Sequence, residues 1–336
     1  MDSTLITSIY SALVAFCACI ILCPITIPWL ARLKFGQVVR DDGPSTHAVK
    51  QGTPTMGGIV IIVSLIAGAV FFARGNNDAL SVLLVTAGFG LVGFVDDWLK
   101  VVRKNPKGLK PKLKLAAQLL ISIGFILYLH FSGQLDGWSA YIPFGNGASI
   151  NFGYLTVPFI IFAMLGFVNG VNLTDGLDGL SSGVTALVVM FMFFVSYSVG
   201  SVIGNTGLAY VNGAAVGALL GFLLFNSHPA RVFMGDTGSL ALGGLVSAMA
   251  IILKMPLVTV LVGIIFLLES LSSMIQTGWF KYTRIRFGQG RRVFKMAPLH
   301  HHFELSGMKE TRVVSMFYIV TAVMCLIGFI AVRGIV

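Results

Sequence analysis

The sequence predicts an all-α, polytopic integral membrane protein, and three observations carry that prediction. Apolar residues fill 56% of the 336 positions and charged residues only 11%, whereas a soluble domain carries roughly a quarter charged. Mean hydropathy is +0.89. Apolar runs of the length that a helix needs to cross a hydrocarbon core, about 17–25 residues, recur along the whole chain.

Ten runs qualify, at about 5–29, 56–73, 80–96, 115–131, 154–171, 179–199, 207–225, 238–253, 256–280 and 313–332. The chain opens with MDSTLITSIY, which holds no Lys or Arg. A cleavable signal peptide has a basic start and a shorter apolar core, so the first run reads as a retained helix. Between the fourth and fifth runs, the turn residues and alternating aromatics of 132–153 predict a short hairpin. The ninth run is the least regular, and a bend there would open a groove to lipid. No repeat of fixed period and no low-complexity linker divides the chain, so residues 1–336 read as one domain.

Charge sets the orientation. Of 23 Lys and Arg, 20 fall in the loops after runs one, three, seven and nine; only Arg74, Lys254 and Arg333 fall on the other side. The basic side is the cytoplasmic side, which puts both termini outside. Contact with anionic headgroups accounts for the net charge of +10, so nucleic-acid binding is not needed. The four cysteines lie inside predicted spans and imply no disulfide framework.

The acidic residues sort with the basic ones. Asp41, Asp42, Asp96, Asp97, Asp175, Asp178, Asp236, Glu304 and Glu310 gather at the basic ends of spans. Three segments there, VKQGTPTMGG (49–58), NLTDGLDGLSSG (172–183) and FMGDTGSLALGG (233–244), are rich in Gly, Ser and Thr, and each leads into a span. A helix start offers unpaired N–H groups and the positive end of the dipole, and small residues let an anion approach. In GFVDDWLKVVRKNPKGLKPKLK (93–114), an apolar run ends in two aspartates and then carries seven basic residues. Neighbours on a helix point about 100° apart, so Asp96 and Asp97 cannot both face one ligand. One of them faces the site while the other positions it or pairs with a basic neighbour. Asn172, Asp175 and Asp178 recur at intervals of three; Asn172 and Asp175 also suit helix caps, as does Asp236 in MGDTGS. Isolated carboxylates beside anion-binding helix starts fit Mg²⁺, which takes one or two carboxylates plus substrate phosphates.

MAPLHHHFE (296–304) invites a zinc reading. Three consecutive rings point in different directions, so at most two converge, and Mg²⁺ does not seek imidazole. His300, His301 and His302 read better as phosphate-contacting or loop-ordering groups. Glu269 lies within the ninth run, where an ionisable group marks function by default unless the neighbouring serines satisfy it.

At VDDWLK, NLTDGLDGL, FNSHPARVFMGDTGS, MAPLHHHFE and VKQGTPTMGG the chain resembles the polyprenyl-phosphate N-acetylhexosamine-1-phosphate transferases. PLHHHFE points to their phospho-N-acetylmuramoyl-pentapeptide transferase branch. The resemblance implies transfer of phospho-MurNAc-pentapeptide from UDP-MurNAc-pentapeptide to undecaprenyl phosphate in the bacterial cytoplasmic membrane, giving lipid I and UMP, with Mg²⁺ required and a homodimer as the assembly. It implies Asp236 as the main magnesium ligand, with Asp175 as a second candidate, and Asp96 as the base or lipid-phosphate group with Asp97 beside it. Asn172, Asp175, Asn226 and His300 would line the phosphate and catalytic region. Lys50, Asp178 and Phe233 would lie near uridine, and Lys112 near the diphosphate or lipid phosphate. Thr55, Gln276 and His301 would touch the substrates or the residues that do. Two rivals remain. One is a GlcNAc-1-phosphate transferase of teichoic acid or surface polysaccharide synthesis. The other is a secondary transporter or flippase, which would place its site near the midplane on broken, repeated helices.

Overall fold

The computed structural model describes residues 3–32, 52–101, 103, 105, 108–203 and 205–335. It is helical throughout apart from one hairpin. In order come α1 (Ser3–Arg32), α2 (Gly58–Ala69), α3 (Asn77–Val101), α4 (Pro111–Phe131), β1 (Ser139–Tyr141), β2 (Ser149–Asn151), α5 (Thr156–Thr174) and α6 (Leu180–Ile203). Then follow α7 (Gly207–Asn226), α8 (Gly235–Ile252), α9 (Pro256–Val262), α10 (Ile264–Phe287), α11 (Leu299–Glu304) and α12 (Glu310–Ala331).

Among the described residues, eight helices are long and apolar enough to span, and the pair α9 and α10 makes a ninth if it is one span. The expected span at 56–73 shortens to α2, whose 12 residues cover about 18 Å at 1.5 Å per residue, short of a bilayer core of about 30 Å. The irregular ninth run is broken at Gly263, where α9 and α10 meet at 82°. Beyond the bend, α10 turns Leu271, Met274, Ile275, Trp279, Phe280 and Ile285 outward. Such a row on a chain this apolar faces lipid rather than water.

The core centres on α8, which is buried along nearly its whole length. Its sequence, GDTGSLALGGLVSAMA, supplies small residues, and these let neighbouring backbones come close without a hydrophobic drive between helices. A Cβ on Gly58 would overlap the Gly238 backbone, one on Gly93 the Asp236 carbonyl, and one on Gly217 the Ala12 carbonyl. The first two contacts clamp α2 and α3 onto the start of α8.

The two ends of the bundle differ. At one end β1 and β2 pair in antiparallel fashion, with Ala140 opposite Ile150. Trp138 is buried beside them and donates its indole N–H to the Ile251 carbonyl at 3.2 Å. At that end Asp78, at the start of α3, accepts from Tyr128 (2.7 Å), Gln134 (2.6 Å) and Asn205 (2.6 Å). These bonds tie helix ends together. The opposite end carries Asp96, Asp97 and Asp236 with Lys100 and Lys114.

The α3–α8 contact yields a direct prediction. Gly93→Ala drives a methyl into the Asp236 carbonyl; overpacking of this kind costs about 1–3 kcal/mol and displaces the Asp236 side chain with its backbone. The variant is expected to melt lower and turn over slowly, while Gly124→Ala, with open space at its Cβ, matches the parent. Equal melting and activity for both variants contradict the close approach.

Candidate active site

The site assembles where the end of α3 meets the start of α8. Asp97 is 4% exposed, and its carboxylate spans the first turn of α8. Oδ1 accepts the Asp236 N–H at 3.2 Å, and Oδ2 accepts the Thr237 N–H at 2.9 Å and the Thr237 hydroxyl at 2.7 Å. Those N–H groups have no partner within α8, so Asp97 caps a helix that lies far along the chain. The sequence-based expectation that Asp236 caps α8 is corrected: Met234 holds the N-cap position without a side-chain cap, and Asp236 is released for other contacts. Gly235 makes this possible. It sits at φ +68°, and a Cβ there would strike the Asp97 carboxylate and the Thr55 hydroxyl. Backbone bonds from Gly57 N–H to Phe233 O (2.8 Å), Gly58 N–H to Met234 O (2.9 Å) and Phe233 N–H to Pro54 O (2.9 Å) fasten the segment that carries Thr55 to the one that carries Phe233.

Asp96 faces the other way, as adjacent helix positions must. It is 3% exposed; Oδ1 accepts the Leu109 N–H at 2.6 Å, and Oδ2 stands 2.9 Å from Lys100 Nζ and 3.2 Å from Lys114 Nζ. The same ammonium groups reach Asp236 Oδ2, at 2.7 Å from Lys100 and 2.9 Å from Lys114. Asp236 Oδ1 accepts from Asn172 Nδ2 at 2.8 Å, and that amide also meets Ser239 Oγ at 2.8 Å. Asp175 lies just past the end of α5. Desolvation first, then the Asp236 and Asp97 carboxylates, hold its carboxyl well above the usual carboxylate range. Asp236 and Asp175 offer carboxylate oxygens in one another's field, and oxygen is the donor that a hard divalent cation takes. These oxygen donors are of the class that fits a hard divalent cation.

The turn from Asn172 to Gly179 links this centre to two others. Gly176 packs against His300. Asp178 is buried; its Oδ2 accepts the Ala230 N–H at 3.0 Å and faces His228 Nδ1 at 3.1 Å, and its own N–H donates to Glu310 Oε1 at 2.8 Å. Asp178, His228 and Glu310 place ligand atoms within 4.8 Å of one another. This second cluster includes an imidazole, which Mg²⁺ disfavours. Asn226 braces the neighbouring loop: its Nδ2 donates to the Val232 carbonyl at 2.9 Å and its Oδ1 accepts from Ser182 at 2.6 Å.

The three histidines take different partners, although the His300 and His301 rings pack edge to face with centroids 4.1 Å apart. His300 Nδ1 lies 3.1 Å from Glu269 Oε2, His301 Nδ1 lies 3.0 Å from Glu304 Oε2, and His302 Nδ1 accepts the Lys295 N–H at 3.1 Å. Gln276 sits apart from the carboxylates and orders the loop after α10. Its Oε1 accepts the Val293 and Phe294 N–H groups at 3.0 Å, and its Nε2 donates to the Phe294 carbonyl at 3.1 Å.

The structure thus brings together Asp96, Asp97, Asp236, Asn172 and Asp175, with Thr55 beside Gly235. Asp178 lies in the turn after α5, Asn226 at the end of α7, Gln276 in α10, and His300 and His301 in α11, and Lys50 falls outside the described residues. Lys112 is exposed; the lysines that meet the carboxylates are Lys100 and Lys114, which the sequence reading used only to set orientation. Lys100 carried a signal, since it follows Asp96 by four positions on one helix. Lys114, His228 and Glu310 carried none, because their partners are set by packing.

Residues 79–254 match the model of glycosyl transferase family 4, and residues 50–62 match phospho-N-acetylmuramoyl-pentapeptide-transferase signature 1. The phospho-N-acetylmuramoyl-pentapeptide-transferase of Acetivibrio thermocellus is 46% identical, over 97% of this chain and 95% of its own. Its namesakes from Clostridioides difficile and Clostridium perfringens are each 48% identical, over 96% of this chain and 97% of theirs. With that much identity over nearly the full length, the chain belongs to the phospho-N-acetylmuramoyl-pentapeptide transferase family.

Proposed function

We infer that this protein transfers phospho-MurNAc-pentapeptide from UDP-MurNAc-pentapeptide to undecaprenyl phosphate, forming lipid I and UMP for peptidoglycan. The observation that carries the reading is the meeting of Asp96, Asp236 and Asn172 with Lys100 and Lys114 at the basic end of the bundle. One substrate is a lipid whose phosphate lies at the membrane surface, and the other is a soluble nucleotide. Chemistry between them needs polar groups at the end of a span with an apolar flank beside them, and the bent α10 supplies such a flank. The excess of Lys and Arg at this end supports a site facing the cytoplasm in the bacterial inner membrane.

An oxygen of the lipid phosphate attacks the β-phosphorus of the nucleotide. The new P–O bond forms as the bond from that phosphorus to the bridging oxygen breaks, and UMP leaves with the electron pair. Bringing two anions together is the main barrier, and phosphoryl transfer is largely positioning and charge neutralisation. Lys100 and Lys114 supply fixed positive charge beside the reacting phosphates, and Asp96 holds both ammonium groups in place. Asp236 and Asp175 would hold Mg²⁺, and Asn172 fixes the Asp236 carboxylate. When bound, Mg²⁺ neutralises charge on the diphosphate. Asp97 anchors the start of α8, and Asp178 and Phe233 lie toward the uridine. Direct displacement is favoured over an aspartyl-phosphate intermediate, because Asp96 and Asp236 are each engaged by two ammonium groups and a phosphate monoester is itself a nucleophile.

The rival keeps this chemistry and changes the sugar. Purified protein with undecaprenyl phosphate and Mg²⁺ is offered UDP-MurNAc-pentapeptide or UDP-GlcNAc, and UMP is measured. Release with the first donor alone is expected; release with UDP-GlcNAc alone replaces this reading with the rival.

A further inference from the structure

Glu269 is fully buried in α10, where an ionised group needs partners. The serines beside it do not serve. Ser270 Oγ donates to the Phe266 carbonyl at 2.8 Å, and Ser272 Oγ donates to the backbone carbonyl of Glu269 at 2.8 Å. Both carboxylate oxygens turn instead to one residue of α11: Oε1 accepts the His300 N–H at 3.2 Å, and Oε2 faces His300 Nδ1 at 3.1 Å. A carboxylate accepts and cannot donate, so the ring carries its hydrogen on Nδ1. His300 is 1% exposed, and its Nε2 has no hydrogen-bond partner among the described residues. That atom lies against Gly176, where a Cβ would overlap it. Gly176 follows Asp175 in the turn that joins the carboxylate centre to the second cluster.

A buried imidazole with one ring nitrogen held by a carboxylate and the other unpaired is costly for folding alone, since an unpaired buried polar atom costs about 1–3 kcal/mol. We propose that Glu269 is a positioning residue for His300. It fixes the tautomer and tilt of the ring, so that Nε2 is the atom presented at the Asp175–Gly176 turn to share a proton with a substrate phosphate. Carboxylates that orient histidines act in this way elsewhere, through ring geometry rather than direct contact with the reacting atoms. This proposal rests on the transfer reaction inferred above and adds to it a residue outside the carboxylate centre.

A double-mutant cycle tests it, with full-length protein, undecaprenyl phosphate, Mg²⁺ and UDP-MurNAc-pentapeptide. Glu269→Gln keeps the volume but supplies one acceptor oxygen where two are needed. It is expected to lower kcat about ten- to a hundredfold while leaving the nucleotide KM within about threefold. In a His300→Ala background it is expected to cause no further loss. Glu269→Asp, which keeps both acceptors and the charge, is expected to recover part of the activity. A Glu269→Gln rate within about twofold of the parent overturns the proposal, as does a double variant that shows the product of both losses or a Glu269→Asp no better than the Gln variant. If the parent itself releases no UMP, the transfer reading fails first; if the parent turns over and the cycle is additive, only the role of Glu269 fails.

Discussion

Asp236→Asn is expected to lower kcat by about a hundred- to a thousandfold, the scale seen when a single preorganised electrostatic group is removed from an active site, and to leave the folded protein intact. The fold should survive because Asp236 enters the capping of α8 only through its backbone N–H, which Asp97 still accepts. Its carboxylate contacts are to Lys100, Lys114 and Asn172, all of which lie at the site. An asparagine keeps the Oδ1 acceptor but places an amide against two ammonium groups and removes the charge that would hold a divalent ion. Turnover measured across a Mg²⁺ titration, together with a melting curve, separates the two effects. Near-parent activity at low Mg²⁺ contradicts the assigned role.

Asp97→Ala is expected to fail for a different reason. Its carboxylate accepts two backbone N–H groups and a hydroxyl at the start of α8, in a position almost closed to solvent. Each buried donor left unpaired costs about 1–3 kcal/mol, so the variant should melt well below the parent. It should also lose activity, because Asp236 rides on the turn that Asp97 anchors. The pair of variants is diagnostic: Asp236→Asn loses turnover at unchanged melting, whereas Asp97→Ala loses both. Unchanged melting with abolished turnover in Asp97→Ala assigns that carboxylate to the chemistry and contradicts the anchoring role.

Much of the architecture was legible because the bilayer restricts what a backbone can do. Length and apolarity located the long spans, the turn residues of 132–153 gave the hairpin, and the irregular run around Gly263 gave the bend. The shortness of α2 was not legible, since the apolar run continues past the point where the helix ends. At the site, the 100° step between Asp96 and Asp97 foretold that one would face the centre while the other positioned it. Which helix Asp97 serves could not be read, because Thr237 lies 140 positions away. Lys112 and Lys114 illustrate the same limit. They stand about 200° apart on α4, so only one can face α3, and the rotation of α4 decides which. The serines near Glu269 looked able to satisfy it; Ser270 and Ser272 bond to backbone carbonyls instead, and its partner sits in another segment.

The central claim is that the carboxylates at the α3–α8 junction hold the divalent ion that lets two phosphates meet. Mn²⁺, which accepts the same oxygen donors as Mg²⁺, reports this directly by electron paramagnetic resonance of the protein with UDP-MurNAc-pentapeptide. The predicted result is a bound Mn²⁺ signal that disappears in Asp236→Asn and shows no coupling to imidazole nitrogen. A signal that persists in Asp236→Asn and couples to a histidine nitrogen would place the ion at Asp178, His228 and Glu310, and contradict the account.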